Sequence, residues 1–491
     1  MPIPRKECAM ATENTHFGAS QIEKMLCGVD SIYFIGIGGI NMSSLALISK
    51  KRGFRVAGSD RASTSLTKRL ENEGVKIYYE HNAKNISGFG AVVYTVAISP
   101  DNEEYTEAKR LGIPCISRAD YLGYVMKGYT RRIGISGMHG KSTCTSMCAE
   151  TFILASADPT VLSGAELRSM GGAYRIGGEE NFIFEACEYM DSFLDFNPTV
   201  AVILNVEMDH VDYFHSIEQV HSSFARFAEI TGKDGYAVAN ADDENVLLSL
   251  KDYAGELVTF GIKNEKSRFR AVNIENSDGL YKFDILLDGS PLCTVSLGVS
   301  GYHNVYNALA TAAAAYISGL SAADIKKGLE AFRGAARRME YKGSISGASL
   351  YDDYGHHPTE VMTTLKGAKG MCREGGRLLC AFQSHTYTRT KEFLNDFVEA
   401  LSIADLFYSV DIYSAREVDT LGVSAELIAK LVGEDKAVYC PSFKATAEAI
   451  ARDAKEGDVV VVMGAGDIYK VFDYLELKKI KTEEVYGLRG I

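Results

Sequence analysis

One heptapeptide, Gly137-Met138-His139-Gly140-Lys141-Ser142-Thr143, constrains this chain more than any other stretch, because it joins the strand-like run RRIGIS to the helix-like run CTSMCAETFIL. Glycines at such a junction let backbone N–H groups wrap a phosphate chain, and the start of the helix favours its negative charge. Lys141 then supplies a cation for the β- and γ-phosphates, Ser142 a hydroxyl for magnesium, and His139 and Thr143 flank them. The strict phosphate-loop spacing has glycine six residues before the lysine; Ile135 stands there and Gly137 four before, so the loop is a variant. A plain glycine-rich turn is the alternative reading.

Two acidic motifs follow apolar runs further along: Glu185-Ala186-Cys187-Glu188 after NFIF, and Asp209-His210 after TVAVILNVEM. Side chains just past parallel strands emerge at one edge of the sheet, beside a phosphate loop. They can converge there on magnesium, and the histidine hints at a second ion that manganese also suits. Asp209-His210 also reads as a helix cap. Nearer the N-terminus, Gly36-Ile37-Gly38-Gly39-Ile40-Asn41 follows SIYFI, and Gly58-Ser59-Asp60 ends the next strand. That pattern seats a diphosphate and offers Asp60 to a ribose hydroxyl, or else packs a helix on a strand; Asn41 replaces the third fingerprint glycine. His303-Asn304-Val305-Tyr306-Asn307 puts two amides on one helical face, towards a base edge or solvent. Asp352-Asp353-Tyr354-Gly355-His356-His357-Pro358 shapes a polar site or caps the helix after it.

Strand-like and helix-like runs alternate along most of the 491 residues, which predicts an α/β chain of three domains. Residues 1–128 read as an N-terminal Rossmann-like domain and 129–335 as a central P-loop ATPase, with a parallel sheet and a small antiparallel sheet between Arg270 and Ser300. Residues 336–491, after the aperiodic RGAARRMEYKG, read as a C-terminal Rossmann-like domain. Lys+Arg 52 against Asp+Glu 64 gives a net charge of −12, which argues against non-specific binding to nucleic acid or an anionic membrane. No apolar run approaches the roughly 20 residues that span a bilayer, and the N-terminal residues lack a signal-peptide core. The ten cysteines, without a CxxC pair, suit reduced thiols in the cytoplasm. Cys144 and Cys148 share a helix face and favour packing over zinc.

Taken in order, FIGIGGINMSSLA, GSD, GMHGKST, EACEYMDSFL, NVEMDHVDY, GYHNVYNALA, FRGAARRMEY, DDYGHHPTEV, FQSHTYTRT, DIYSAREV and MGAGDI resemble the signatures of the Mur ligases, from Ile32 to Ile468. The resemblance implies that the N-terminal domain holds UDP-N-acetylmuramate through Gly36, Gly38, Gly39, Ser59 and Asp60. It implies ATP at Gly137, His139, Gly140, Lys141, Ser142 and Thr143, with Asn304 and Asn307 on the adenine side and Asp353 at the ribose. Mg2+, with Mn2+ as an alternative, falls to Ser142, Glu185 and His210. Lys141, His210, His356 and Arg389 form the implied catalytic set, and the C-terminal domain is expected to close over ATP and the amino acid. The implied reaction phosphorylates the muramyl carboxylate from ATP, releases ADP, and lets the amine of L-alanine displace phosphate, as in peptidoglycan precursor synthesis.

No lysine occurs between Asn205 and Ile230, so the carbamylated lysine of the later Mur ligases has no counterpart, which fits the family's first ligation. Four positions depart from the family pattern: Thr386 replaces an arginine, Cys187 an aspartate, Arg416 a glycine, and Asn41 a glycine. Those changes keep another acceptor open, namely glycine, serine or a murein tripeptide, with Arg416 as a substitute cation. A NAD-dependent oxidoreductase, from the first glycine loop and Asp60, and a non-catalytic UDP-sugar binder are the rivals; both leave Lys141, Glu185 and His210 idle.

Overall fold

Parallel strands covered on both faces read as unbroken apolar runs, and those runs are the strands of this fold. The computed structural model describes residues 12, 15–210, 213–277, 279–415, 417, 419 and 421–478. They form two compact units, one ending at Thr259 and the other beginning at Phe260.

In the first unit, β1 (Ser31–Ile35), β2 (Arg55–Ser59), β3 (Lys76–Tyr78), β4 (Ala91–Tyr94) and β5 (Cys115–Ser117) make a parallel sheet in the order β3-β2-β1-β4-β5. Successive side chains of a strand point to opposite faces. Accordingly Ile32 and Phe34 join one buried cluster, and Tyr33 and Ile35 the other. The chain order reverses between β1 and β4, so the loop leaving β1 opens into a crevice at the strands' C-terminal edge. The same unit holds β6 (Arg131–Ser136), β7 (Thr160–Leu167), β8 (Gly172–Arg175), β9 (Asn181–Glu185), β10 (Val200–Ile203) and β11 (Tyr236–Asn240), with β12 (Glu256–Gly261) straddling its end. Their order is β12-β11-β10-β6-β9-β7-β8, and β8 runs antiparallel to β7. The β7–β8 hairpin was not expected from the sequence, because Ser163, Gly164 and Glu166 break the apolar run.

The second unit carries β13 (Phe269–Ser277), β14 (Leu280–Leu287) and β15 (Ser290–Ser300) as an antiparallel ribbon, as the alternating pattern there predicts. Helices His303–Ile317 and Ala322–Ala331 follow. Then β16 (Glu340–Ile345), β17 (Ala348–Asp353), β18 (Leu378–His385), β19 (Leu406–Tyr413), β20 (Ala437–Cys440) and β21 (Val459–Met463) form a sheet in the order β16-β17-β21-β18-β19-β20. All its pairs are parallel except β16 with β17. Part of the aperiodic stretch RGAARRMEYKG is therefore an edge strand rather than a bare linker. Parallel pairing brings the segments after β17, β18 and β21 to one edge. Among the described residues no helix is long and apolar enough to cross a membrane.

Candidate active site

The loop of residues 137–143 is set by a left-handed glycine and by docking against the segment after β10. Gly140, at φ 84, takes the left-handed turn that starts helix Lys141–Leu154, a conformation costly for any residue with a Cβ. Asn205, just after β10, clamps the loop: His139 N–H donates to its Oδ1 at 2.8 Å, and its Nδ2 donates to the His139 carbonyl at 2.9 Å. The His139 imidazole pairs with Glu207. Ser142 is buried at the second helical position. Cys144 and Cys148, further along that helix, are buried thiols.

Lys141 folds back over its own loop. Its Nζ donates to the Gly137 carbonyl at 2.6 Å and to the Met138 carbonyl at 3.1 Å, and pairs with Glu188 Oε2 at 3.0 Å. Glu188 is fully buried, and its Oε1 also lies 3.1 Å from His210 Nε2. Burial opposes both charges. The ion pair outweighs it, so the Glu188 carboxyl lies below its ordinary range and the Lys141 ammonium above its own. Burial pushes the neighbouring Cys187 thiol up to about 12, so it is protonated at neutral pH. Tyr189 packs its ring 4.7 Å from that of His210.

Sequence reasoning chose Glu185 for the site set, yet Glu188 is the carboxylate that joins Lys141 to His210. Glu185 instead ends β9 and accepts from Gly164 N–H of β7 at 3.0 Å. The signal was the period of the strand: Glu185 continues β9 beyond Phe184, whereas Glu188 lies past the turn. The helix-cap reading of Asp209-His210 is corrected, because the next helix begins only at Ile217 with Ser216 before it. Asp209 Oδ1 accepts from the His210 N–H at 2.6 Å, and His210 sits at φ 48.

In the first sheet, the Gly36 and Ile37 N–H groups donate to the Ser59 carbonyl at 2.9 Å each, and Gly38 N–H donates to Asp60 Oδ2 at 2.8 Å. A Cβ on Gly38 would sit 2.7 Å from that oxygen, so glycine is required for the close approach. Asp60 thus shapes the loop, its Oδ1 also taking the Ala62 N–H at 3.2 Å. Gly39 precedes helix Ile40–Lys51, and Asn41 is its second residue. Ser59 is fully buried, its hydroxyl donating to Glu104.

In the second unit, Asn304 and Asn307 are buried together: Asn307 Nδ2 donates to Asn304 Oδ1 at 2.9 Å, and Asn304 Nδ2 to the Ser300 carbonyl at 2.7 Å. Asp353, at the end of β17, accepts from Gly355 N–H at 2.8 Å and Met339 N–H at 2.9 Å, while burial raises its carboxyl pKa. The two histidines divide the roles left open by the sequence. His357 caps helix Pro358–Lys369 in a capping box with Glu360, and His356 does not. His356 Nδ1 lies 3.2 Å from the Tyr354 carbonyl, which can only accept, so Nδ1 carries the proton and Nε2 the lone pair. Burial, aided by Arg389 and Arg338 and opposed by Glu360, pushes His356 down to about 4.

Thr386, with φ 67, precedes helix Tyr387–Glu392 and its hydroxyl accepts from the Arg389 N–H at 3.4 Å. The residue that replaces the family's arginine therefore caps the helix that carries Arg389. Arg389 lies close enough to His356 and His385 to depress the basicity of both. Arg416, expected as a substitute cation, lies outside the described residues.

Comparison with known proteins follows the same order along the chain. The model of the Mur ligase family catalytic domain matches residues 31–130, that of the Mur ligase middle domain 135–315, and that of the Mur ligase glutamate ligase domain 337–466. The UDP-N-acetylmuramate–L-alanine ligase of Acetivibrio thermocellus is 44% identical over 445 residues, covering 90% of this chain and 94% of the relative. That of Caldicellulosiruptor bescii is 43% identical over 455 residues, covering 92% and 99%. Among solved structures, the UDP-N-acetylmuramate–alanine ligase of Thermotoga maritima superposes with a TM-score of 0.75 at 28% identity, covering 90% of this chain and 98% of that one. A murein peptide ligase of Psychrobacter arcticus, at 24% identity and a TM-score of 0.65, shares the fold.

Proposed function

We propose, since this chain belongs to the Mur ligase family and has its three-domain α/β fold, that it joins L-alanine to the carboxylate of UDP-N-acetylmuramate at the cost of ATP, in peptidoglycan precursor synthesis. The observation that carries this reading is identity above 40% along nine-tenths of the chain to ligases of that name. Its domains are 1–128 for the UDP-sugar, 129–335 for ATP and 336–491 for the amino acid, and it acts in the cytoplasm on small molecules.

A carboxylate does not react with an amine until one of its oxygens becomes a leaving group. The muramyl carboxylate attacks the γ-phosphorus of ATP and ADP departs, giving an acyl phosphate. The L-alanine nitrogen then attacks the acyl carbon, the bond from that carbon to the phosphoryl oxygen breaks, and inorganic phosphate leaves carrying the proton the nitrogen gives up. Lys141 neutralises the phosphates once its ammonium exchanges the Gly137 and Met138 carbonyls for phosphate oxygens. Glu188 stays behind it as the counter-charge. Gly137, His139, Gly140 and Thr143 line the phosphate chain; Asn304 and Asn307 hold the adenine and Asp353 the ribose. Gly36, Gly38 and Gly39, shaped by Ser59 and Asp60, receive the UDP moiety. Arg389 pairs with the acceptor's carboxylate, and the lone pair on His356 Nε2 accepts a hydrogen bond from its amine.

Magnesium fits the donors present. Ser142, Glu185, Glu188 and His210 supply a hydroxyl, two carboxylates and an imidazole, and the Lys141 ammonium already rests on Glu188 and two carbonyl oxygens, so the site accepts positive charge. A divalent ion there would screen the phosphate charge that repels an incoming carboxylate. The imidazole leaves room for Mn2+.

The test is an acceptor screen. With UDP-N-acetylmuramate, ATP and Mg2+, ADP formation and product mass are followed with L-alanine, glycine, L-serine and a murein tripeptide. L-Alanine is expected to give the highest kcat/KM. Thr386 in place of arginine is the reason glycine, L-serine and the tripeptide are included, and turnover of any of them above that with L-alanine would overturn this reading.

A further inference from the structure

Against the first sheet lies a fully buried acid that the reaction above does not use. Glu104 is the second residue of helix Glu103–Arg110 and has no solvent exposure. Burying a carboxyl group this deeply is costly unless hydrogen-bond donors surround it. They do. Its Oε2 accepts from the Ser59 hydroxyl at 2.5 Å and lies 2.9 Å from His81 Nδ1. Its Oε1 accepts from the Tyr33 hydroxyl at 2.8 Å, from Asn85 Nδ2 at 2.8 Å and from the Asn82 N–H at 3.4 Å. These partners come from the middle of β1, from the last residue of β2 and from the segment after β3, so one side chain ties all three together beneath the glycine loop's anchor at Ser59.

Ser59 is the link to function. Its hydroxyl is held by Glu104, and its carbonyl receives the N–H groups of Gly36 and Ile37, the first two residues of the loop. We infer that Glu104 is a positioning residue for the UDP-sugar, fixing the end of β2 and through it the glycine loop, without touching the ligand. The inference rests on the reading of that loop as the UDP site. A buried network with this many hydrogen bonds suits the task, because its members lose bonds if the end of β2 shifts.

Glu104→Gln keeps the volume but sets an amide donor against a ring of donors. UDP, titrated calorimetrically into the full chain, is expected to bind about tenfold more weakly, the size of one charge-assisted hydrogen bond. KM for UDP-N-acetylmuramate should rise to match, while kcat and KM for ATP stay within about twofold. Ser59→Ala severs the same link with little loss of volume and carries the test alone if the first variant does not fold. Its effect should not add to that of Glu104→Gln, because both cut one path. Unchanged UDP affinity in a folded Glu104→Gln or Ser59→Ala chain overturns the inference. So does weakening that falls equally on ATP and UDP. A wild-type chain that binds no UDP overturns the reading of the loop, and the inference with it.

Discussion

Glu188→Gln isolates the interaction at the centre of the site. The carboxylate stands 3.0 Å from the Lys141 ammonium, and unit charges at that distance attract by roughly 5.5 kcal/mol at an effective dielectric of about 20. Desolvation offsets part of this, and removing one partner of a buried pair costs about 3–5 kcal/mol. The lower end applies here, because glutamine keeps the volume and Lys141 keeps its bonds to the Gly137 and Met138 carbonyls. A loss of about 3 kcal/mol in a unit of this size lowers Tm by roughly 6–12 °C. Activity should fall about 100-fold in kcat, and the Mg2+ requirement should rise more than in Glu185→Gln.

The pH dependence has a defined sign. Glu188 is held below its ordinary 4.5, so its contribution is complete above about pH 4.5 and disappears as pH falls through the lowered folded value. Lys141 is held above its ordinary 10.5, so its share is complete below that pH and is lost as pH rises through the raised value. The Tm deficit of Glu188→Gln should therefore be flat from about pH 5 to 10 and shrink in acid. Calorimetric melts across that range, with initial rates of ADP release, give both quantities. A Tm within about 1 °C of wild type at pH 7.5, with an unchanged Mg2+ titration, would refute the role given to this pair.

Lys141→Ala should reduce kcat by at least about 100-fold, measured as product amide, because it removes the loop's own cation. Gly38→Ala drives the Asp60 carboxylate from its 2.8 Å bond to the Gly38 N–H, and should raise KM for the UDP-sugar about tenfold in steady-state assays. Arg389→Ala should raise KM for L-alanine by roughly 10- to 100-fold and leave KM for ATP within about twofold. With its folded value near 4, His356 stays neutral at working pH, so KM for L-alanine should show no His356 break between about pH 6 and 9. The unfolded chain takes up that proton near pH 6.5, so His356 weakens the fold as pH falls towards 4.

The sequence is most legible where one physical demand dominates. Strand β21, the run VVVVM, is readable because burial on both sides requires it: Val459, Val461 and Met463 enter one core cluster, Val460 and Val462 the other. The glycine loops are readable because Gly140 and Gly38 meet backbone demands that other residues fail. Edges are harder. Strand β16 is only partly buried along most of its length, so tertiary pairing with β17 makes it a strand and no apolar period announces it. The partner of Lys141 is hard to read for a different reason. Glu185 ends β9 and Glu188 follows it, and only the chain path after β9, where Ala186 N–H donates to the Ile135 carbonyl at 2.9 Å, decides which carboxylate reaches Lys141.

Thr386 means something different in the fold than in the sequence. In the sequence it is a lost guanidinium. In the structure its hydroxyl caps helix Tyr387–Glu392 by accepting from the Arg389 N–H, while Glu417 takes the Thr388 N–H at 2.9 Å. Both caps fix the first turn that carries Arg389, and fixing it lowers the entropy lost when its guanidinium pairs with a carboxylate. His356 and His385 beside it are pushed towards neutrality, mainly by burial, so neither repels that guanidinium nor brings a second charge to the pocket. Arg338 pairs with Glu360 at 3.7 Å. The attraction for a carboxylate is thereby concentrated on Arg389. A small acceptor whose carboxylate stands one carbon from its amine suits a single fixed cation, whereas a tripeptide would bring further carboxylates that neutral histidines cannot balance.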